Sequence, residues 1–545
     1  MECKELRLCP DDQPVVGCEV LTWIKVENTD SNGKTYLVSA KDFEDQKYSI
    51  KFTWWRELST GCAVQVGSSK TYTPSDSDSG TKLRVTAVVT KDGVPVSPEI
   101  ICTTAPVIKR PPPDFRKMIR LGSEEGSTSM TVISYNIMAD FLRLPHGNSS
   151  HCPPWALSWA YRRENLFREI GSYRADIICL QEVQSNHHYG FFNKEFDKLG
   201  YSSIFTRRIS QLRMGDEDGM DGCAIYFQRD RFQLVAQYKI KYAECVLPLL
   251  QRFELDERVQ VSRRLMKDNV AAVAILEEIE DAKSKICIAN THIYRGSDND
   301  RKGSDVRLFQ VSTLLKGLEK FHSLGIPIIL CGDFNSTPRS ETHQYIVNGK
   351  VESFDQDPLG IKKQLDLSHS LHLATAYDTY GFDEHNPSKI SCGRILDYIF
   401  YSEELLSVQG LLGPPDYENM LKRLKDERLL APPNYDRTRK LFPSPFWSSD
   451  HLALGVTFKR MILSESNGAK ANGGALGGVQ EAQIKKQEEV KATTLEEEKK
   501  KKKKKKSSRK LVRKNPKTKK VETATTTLAF VFKTGVMLAT DHKPS

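Results

Sequence analysis

Hydrophobic positions alternate with polar ones through residues 1–105, then give way to longer apolar runs separated by helix-period stretches. The early runs are Glu19-Val-Leu-Thr-Trp-Ile-Lys-Val, Tyr48-Ser-Ile-Lys-Phe-Thr-Trp-Trp and Lys82-Leu-Arg-Val-Thr-Ala-Val-Val, bounded by Asp, Asn, Gly and Ser turns. Residues 1–105 are therefore predicted to form a small β-sandwich of immunoglobulin-like type. Trp54 and Trp55 are neighbours on one strand, so one ring faces the core and the other faces out. The outward ring could serve base stacking or a partner contact, but burial statistics for Trp favour a half-covered surface position.

Residues 106–129 read as a linker, with Lys109-Arg-Pro-Pro-Pro-Asp and Gly122-Ser-Glu-Glu-Gly-Ser. Across 130–460 strand-like and helical patterns alternate, which predicts an α/β body with helices outside a sheet core. Strands are expected at Thr131–Asn136, Ile177–Glu182, Gly222–Phe227, Val270–Leu276, Lys285–Thr291, Ile326–Cys331, Ile395–Tyr401 and His451–Phe458. Helices are expected at Tyr161–Tyr173, near Phe191–Leu199 and at Asp305–Leu324. Residues 461–545 turn Gly/Ala-rich and then run through Lys499–Lys506, a self-repelling tail expected to be disordered. That tail suits a nuclear address, an RNA-anchoring arm or a solvated extension.

Charge sharpens this division. Of the 545 residues, those from Met461 onward carry 21 Lys/Arg against 9 Asp/Glu, a surplus larger than the whole chain's +10. The body is nearly neutral, which argues for a local cleft rather than a broad nucleic-acid-coating surface. The 12 cysteines are scattered without a Cys-x-x-Cys and read as reduced core thiols of an intracellular protein. The sequence shows neither a leader pattern nor an apolar run of membrane-spanning length, so a soluble nuclear or cytoplasmic protein, with no membrane partner, is expected.

In the second body the strands end, one after another, on polar residues: Tyr135-Asn136, Gln181-Glu182, Asn290-Thr-His292, Asp333 with Asn335, Asp397, and Asp450-His451. Any one of them reads equally as local structure; Gly332-Asp-Phe-Asn, for instance, makes an ordinary Asx-turn. Together they assemble a chemistry. Glu182 among carboxylates and amides makes a hard-oxygen site suited to Mg²⁺. His292 and His451 can donate to phosphate oxygens, Asp397 can orient His451, and Asp333 is left to activate a water. The reaction so assembled is metal-assisted phosphodiester hydrolysis.

These blocks resemble the endonuclease/exonuclease/phosphatase superfamily, in order: Ser134-Tyr-Asn136, Leu180-Gln-Glu182, Asn290-Thr-His292, Gly332-Asp-Phe-Asn-Ser336, Leu396-Asp-Tyr398 and Ser449-Asp-His451. The resemblance implies a four-layered α/β sandwich with two facing sheets. It implies that Asn136, Glu182, Asp333 and Asp450 form the metal group. Asn335, with Asn290 and His292, would hold phosphate and substrate, and Asp397 would pair with His451. Further stretches are similar to plant-type carbon catabolite repressor 4 deadenylases: Cys152-Pro-Pro-Trp-Ala-Leu-Ser-Trp-Ala-Tyr-Arg-Arg, Tyr173-Arg-Ala-Asp, Asp221-Gly-Cys-Ala, Gln310-Val-Ser-Thr and Trp447-Ser-Ser-Asp-His.

The implied activity is a Mg²⁺-dependent 3′ exoribonuclease that shortens poly(A) RNA and releases 5′-AMP, in the nucleus and cytoplasm, within a multi-subunit deadenylation complex. Two departures matter. The plant members' Cys/His zinc-finger insertion, which docks a partner deadenylase, is missing between Trp55 and Lys70, where only Cys62 stands, so zinc is not expected. Cys392 occupies the position of the family's adenine-stacking Phe, which removes stacking worth roughly 1–3 kcal/mol. Two other readings stay open: a 2′,5′-oligoadenylate phosphodiesterase, and a non-catalytic RNA-binding scaffold.

Overall fold

The computed structural model describes residues 2–9, 13–29, 35–37, 47–112, 115–121, 129–142, 152–208, 219–281, 284–296, 303–351, 357–378, 387, 393–416, 418–419, 422–423, 442–461, 531–532 and 535–536. The Lys499–Lys506 run and Cys392 lie outside these residues. Within 461–545 the described residues beyond Met461 are two short strands, Val531–Phe532 and Gly535–Val536, paired antiparallel.

The N-terminal part is a two-sheet sandwich. One sheet contains β1 (Glu2–Cys9), β2 (Val20–Thr29), β3 (Thr35–Leu37) and β6 (Thr71–Tyr72). The other contains β4 (Tyr48–Glu57), β5 (Ala63–Gly67), β7 (Lys82–Lys91), β8 (Val94–Pro95) and β9 (Ile100–Pro106). Leu8, Val20, Phe52, Trp54, Leu83, Val85 and Val107 meet between the sheets. Trp54 is fully buried and Trp55 half-buried, its ring beneath the Arg84 guanidinium at 5.7 Å. The alternation of the pleat thus separates the two tryptophans as their adjacency predicts.

The second body has two sheets face to face. The larger runs in the order β10 (Met118–Arg120), β21 (Leu406–Leu412), β22 (Leu454–Arg460), β11 (Ser129–Asn136), β12 (Ile177–Gln184), β14 (Asp221–Gln228), β13 (Tyr201–Arg207). The smaller runs β15 (Phe232–Lys241), β16 (Val270–Glu278), β17 (Lys285–His292), β18 (Ile328–Asp333), β20 (Asp397–Ser402), β19 (Leu373–Thr375). Strand parity builds the layers. Val132, Ile177 and Cys179 face Ala272, Ala274, Ile288, Ile329 and Cys331 between the sheets. Ile133, Ile178 and Leu180 point the other way, under helices Trp159–Ser172 and Asn193–Lys198. Ala271, Val273, Cys287 and Leu330 pack under helix Ser304–His322. Central strands buried on both faces explain the unbroken apolar runs. The result is the four-layered α/β sandwich expected from the sequence.

Part of the expected linker belongs to this body. Met118–Arg120 pairs with Leu412–Gly410, and the buried Arg116 guanidinium donates to Gly413 O at 2.7 Å and Ala453 O at 2.6 Å. The N-terminal sandwich rests on the segment that opens helix Trp159–Ser172. Val15 and Cys18 pack on Cys152, Ala156 and Tyr161, and Arg163 Nη2 pairs with Glu19 Oε2 at 2.9 Å.

Neighbouring strands in the smaller sheet leave no room beside Gly332, where a Cβ would lie 2.1 Å from Thr291 O. Gly332→Ala is expected to cost about 1–3 kcal/mol by overpacking. Thermal unfolding checks this; an unchanged melting temperature would contradict the close approach.

Candidate active site

Strand register brings the polar termini together at one end of the two sheets. In the smaller sheet His292 of β17 lies opposite Asp333 of β18, which lies opposite Asp397 of β20, so adjacent strands present the three in one row. In the larger sheet Asn136 of β11 pairs with Gln181 of β12. The next residue, Glu182, sits where the β12–β14 register slips between Leu180 and Val183, with φ +58°. A bulge with a left-handed residue turns that carboxylate out of the pleat. Asn335 also has a left-handed backbone, φ +46°. Such conformations persist in non-glycine residues only where surrounding structure holds them.

The side chains interlock. Asn136 Nδ2 donates to Glu182 Oε1 at 3.0 Å and to Asp333 Oδ2 at 3.1 Å, so one amide spans the two sheets. Its Oδ1 accepts the Met138 N–H at 3.1 Å, which sets the amide's direction. Glu182 Oε2 accepts from Ala139 N at 2.8 Å, and Asp333 Oδ1 from Asn335 N at 2.9 Å. His451 Nδ1 faces both oxygens of Asp397, at 3.1 and 2.9 Å. Its Nε2 is 3.8 Å from Asp333 Oδ2. His292 Nε2 is 3.5 Å from Asp333 Oδ2 and 3.1 Å from Asn335 Nδ2.

Burial dominates the electrostatics. Desolvation raises the Glu182 carboxyl above its ordinary range, and the nearby Asp450 and Asp221 charges raise it further. Asp333 is pushed up to about 7, chiefly by burial and then by the Asp397 charge beside it. His292 is held well below the ordinary histidine range by burial, then by the Arg208 charge. Four carboxylates, Glu182, Asp333, Asp397 and Asp450, thus converge near Arg208, whose guanidinium touches His292 and is also engaged by Asp221 at 3.1 Å.

Of the residues expected at the site, Asn136, Glu182, His292, Asp333, Asn335, Asp397, Asp450 and His451 come together. Asn290 does not join them, a correction to its expected substrate contact. It is fully buried between the sheets, donating from Nδ2 to Leu180 O at 2.9 Å and Ala224 O at 2.8 Å, while its Oδ1 accepts from Gln181 Nε2 at 2.8 Å. Both hydrogens and the oxygen of its amide take part in joining the layers.

Several residues at the site carried no isolated signal. Arg208 donates from Nη2 to His292 Nδ1 at 2.8 Å. Asn269 Nδ2 holds the His292 carbonyl at 2.9 Å, and Gln310 bridges Asn269 to the Tyr294 N–H. Arg162, fully buried, donates to Ser448 O at 2.8 Å and Ile137 O at 2.6 Å, stapling the segments that carry His451 and Asn136. Gln310 and Arg162 lie in stretches that carry the family resemblance, which was the available signal.

This fold and site define a phosphoesterase of the metal-dependent nuclease class. The model of the endonuclease/exonuclease/phosphatase family matches residues 133–451, and the chain belongs to that family. Within it, the chain is similar to carbon catabolite repressor protein 4 homolog 1 of Arabidopsis thaliana, 37% identical over 458 residues that cover 74% of this chain and 72% of that one. Homolog 2 of the same plant is 37% identical over 449 residues, 73% of this chain and 70% of that one. The CCR4-Not complex 3′-5′-exoribonuclease subunit Ccr4 of Saccharomyces cerevisiae is 31% identical over 63% of this chain and 40% of its own length. No described helix is long and apolar enough to cross a membrane.

The raised Asp333 carboxyl has a consequence for stability. Between the ordinary carboxylate range near 4 and about 7, the folded protein holds a proton that the unfolded chain releases. Its contribution in metal-free protein is therefore full at low pH and is lost as pH rises towards 7. A divalent cation favours the ionised carboxylate, so stabilisation by Mg²⁺ over EDTA is expected to be larger at pH 8 than at pH 5.5. Paired thermal melts test this; an equal shift at both pH values would contradict it.

Proposed function

We propose that the protein is a Mg²⁺-dependent 3′ exoribonuclease that shortens poly(A) RNA and releases 5′-AMP. The observation that carries this reading is the junction of Glu182 and Asp333, from opposite sheets, on the single amide of Asn136 beside His292 and the Asp397–His451 pair. Kinship with the carbon catabolite repressor 4 proteins supports RNA as substrate, since the yeast relative is named a 3′-5′-exoribonuclease. The same relative is a subunit of a larger complex, which supports a multi-subunit setting for this chain.

The donor chemistry fits a hard divalent cation. Ionising a buried carboxyl costs several kcal/mol unless a cation offsets the loss of water. Glu182, Asp333 and Asp450 offer oxygens alone, as Mg²⁺ prefers. The tighter cluster of Asp333, Asp397 and His451, whose ligand atoms lie within 4.8 Å of one another, is a less suitable cage. Both Asp397 oxygens already face His451 Nδ1, at 3.1 and 2.9 Å. A cation on Glu182 and Asp333 would draw charge from a non-bridging phosphate oxygen.

The chain's own groups do the rest. Asp333 takes a proton from the attacking water, whose oxygen forms the new bond to phosphorus. The bond to the 3′-oxygen of the preceding nucleotide breaks, and that oxygen takes up a proton. Asn335 and His292 hold the phosphate, and Asp397 keeps His451 turned towards the reacting oxygens. Arg162 and Ser449 position the loops: Ser449 Oγ donates to Asn136 O at 2.7 Å and accepts from His451 N at 3.2 Å.

Glu182→Ala and Asp333→Ala are each expected to remove essentially all turnover, by at least about 10³-fold, while leaving the fold intact. The assay is product formation in Mg²⁺ from 5′-labelled RNA ending in A, the same RNA ending in C or U, and 2′,5′-linked oligoadenylate, with circular dichroism as the control. Undiminished rates in Glu182→Ala would remove the proposal. A preference for the 2′,5′ linkage would change the substrate and keep the residue roles.

A further inference from the structure

Tyr294 and Arg295 take no part in the hydrolysis just described, yet the backbone that carries them out of the cleft after His292 is held at each residue. Asn269 Nδ2 donates to His292 O at 2.9 Å. The Ile293 N–H donates to Asp333 O at 2.9 Å, and Ile293 O accepts from Asn335 Nδ2 at 3.0 Å. Gln310 Oε1 accepts the Tyr294 N–H at 2.9 Å. Arg307, buried on helix Ser304–His322, donates from Nη1 to Arg295 O at 3.3 Å. Buried partners on several elements thus make this stretch a fixed ledge.

The ledge runs from the core to the solvent. Ile293 is fully buried, Tyr294 half-buried and Arg295 exposed. The start of the helix closes on Tyr294, where a Cβ on Gly303 would lie 3.1 Å from Cε1. The Lys267 ammonium stands over the same ring, 5.5 Å from its centroid. The Arg295 charge reaches His292, where it adds to burial and to the Arg208 and His451 charges in holding that imidazole low. Two cations therefore lie along the way out from the histidine that faces the scissile phosphate. Since the body of the chain is nearly neutral, its grip on a polyanion depends on such local charges.

A guanidinium meets phosphate with a planar fork, and a fixed backbone leaves only the side chain to be ordered on binding. In 3′ exonucleolytic attack the strand continues from the scissile phosphate towards the 5′ end alone. A cation one step outward from His292 can thus meet only the phosphate that precedes the scissile one. We propose that Arg295, supported by the charge of Lys267, is the binding site for that next phosphate, so that the enzyme favours RNA with a second phosphate over a dinucleotide.

This assignment rests on the reading of the protein as a 3′ exoribonuclease, and the test keeps the two apart. AMP release in Mg²⁺ is measured on hexa-adenylate and on a diadenylate with a 5′-hydroxyl, whose single phosphate is the scissile one. Arg295→Ala is expected to raise KM for hexa-adenylate roughly 10-fold with kcat little changed, the pattern of lost uniform binding. Arg295→Lys, a point charge without the fork, should recover part of the loss. The diadenylate, already the poorer substrate of the unmodified protein, should lose nothing further. An unchanged KM on hexa-adenylate, or an equal loss on both substrates, would overturn the assignment. Should the unmodified protein hydrolyse neither, the proposed function fails, and binding of fluorescein-labelled hexa-adenylate in EDTA judges Arg295. Arg295→Ala is then expected to weaken binding by a similar factor and to lower its log–log salt slope by about 0.7. Both proteins keep the Lys499–Lys506 run, so the difference between them belongs to Arg295. Equal affinities and slopes would overturn the assignment on that footing too.

Discussion

The amide of Asn136 spans a seam that backbone hydrogen bonds cannot cross. Each sheet closes its own ladder, so only side chains pass between them. Through most of the interface those side chains are small and apolar, Ala272, Ala274, Ile288 and Cys331 against Val132, Ile177 and Cys179. Apolar packing is non-directional and tolerates sliding. The polar crossings do not: Asn136 reaches Asp333, and Asn290 reaches Leu180 O, Ala224 O and Gln181. A fully satisfied buried polar network specifies one arrangement of the layers. Two carboxylates from different sheets can share a site only because that arrangement is unique.

The layering was legible because the strands at the centre are buried on both faces, and their apolar runs stand out from the helical stretches. The site was legible as a list, since each strand ends on a polar residue and order along the chain carried the resemblance. What the residues do in space was less visible. Asn290 and His292 stand two apart on one strand, yet Asn290 is swallowed between the sheets while His292 reaches the cleft. Glu182 follows Gln181 directly, and a bulge with φ +58° is what turns it to the site. The pattern of β22 begins at His451, but the strand starts at Leu454, because Ser448–His451 forms the site's loop. Strands β13, β15 and β21 escaped notice because their burial is uneven, as for Phe232–Lys241 at an edge of the smaller sheet. Arg116 looked like linker because its partners are backbone carbonyls some 300 residues away.

The stretch from Cys152 to Arg163 shows why motifs remote from the chemistry accompany it. Tyr161, Arg162 and Asn165 lie on consecutive turns of one helix and grip Pro445, Phe446 and Ser448 through backbone carbonyls. Arg162 also holds Ile137 O, next to Asn136. Arginine suits this place because its rigid fork reaches several carbonyls at once, where a lysine offers a single point of charge. The following residue, Arg163, meets Glu19 of the N-terminal sandwich. One helix thus touches the sandwich on one side and the loops of Asn136 and His451 on the other, so the two parts share a structural element.

Charge balance ties the site to its reaction. Glu182 and Asp333, joined through one amide, are raised chiefly by burial, and neighbouring Asp charges add to it. A cation beside carboxyls raised in this way favours their ionised form. The substrate brings a further negative charge, so donors must be ready for it. His292 and Asn335, 3.1 Å apart, are the polar pair that stands beside Asp333 where that charge would arrive. His292 thus stands between the Asp333 carboxyl at 3.5 Å and the Arg208 guanidinium at 2.8 Å, the place where the acidic cluster meets a buried cation that Asp221 holds.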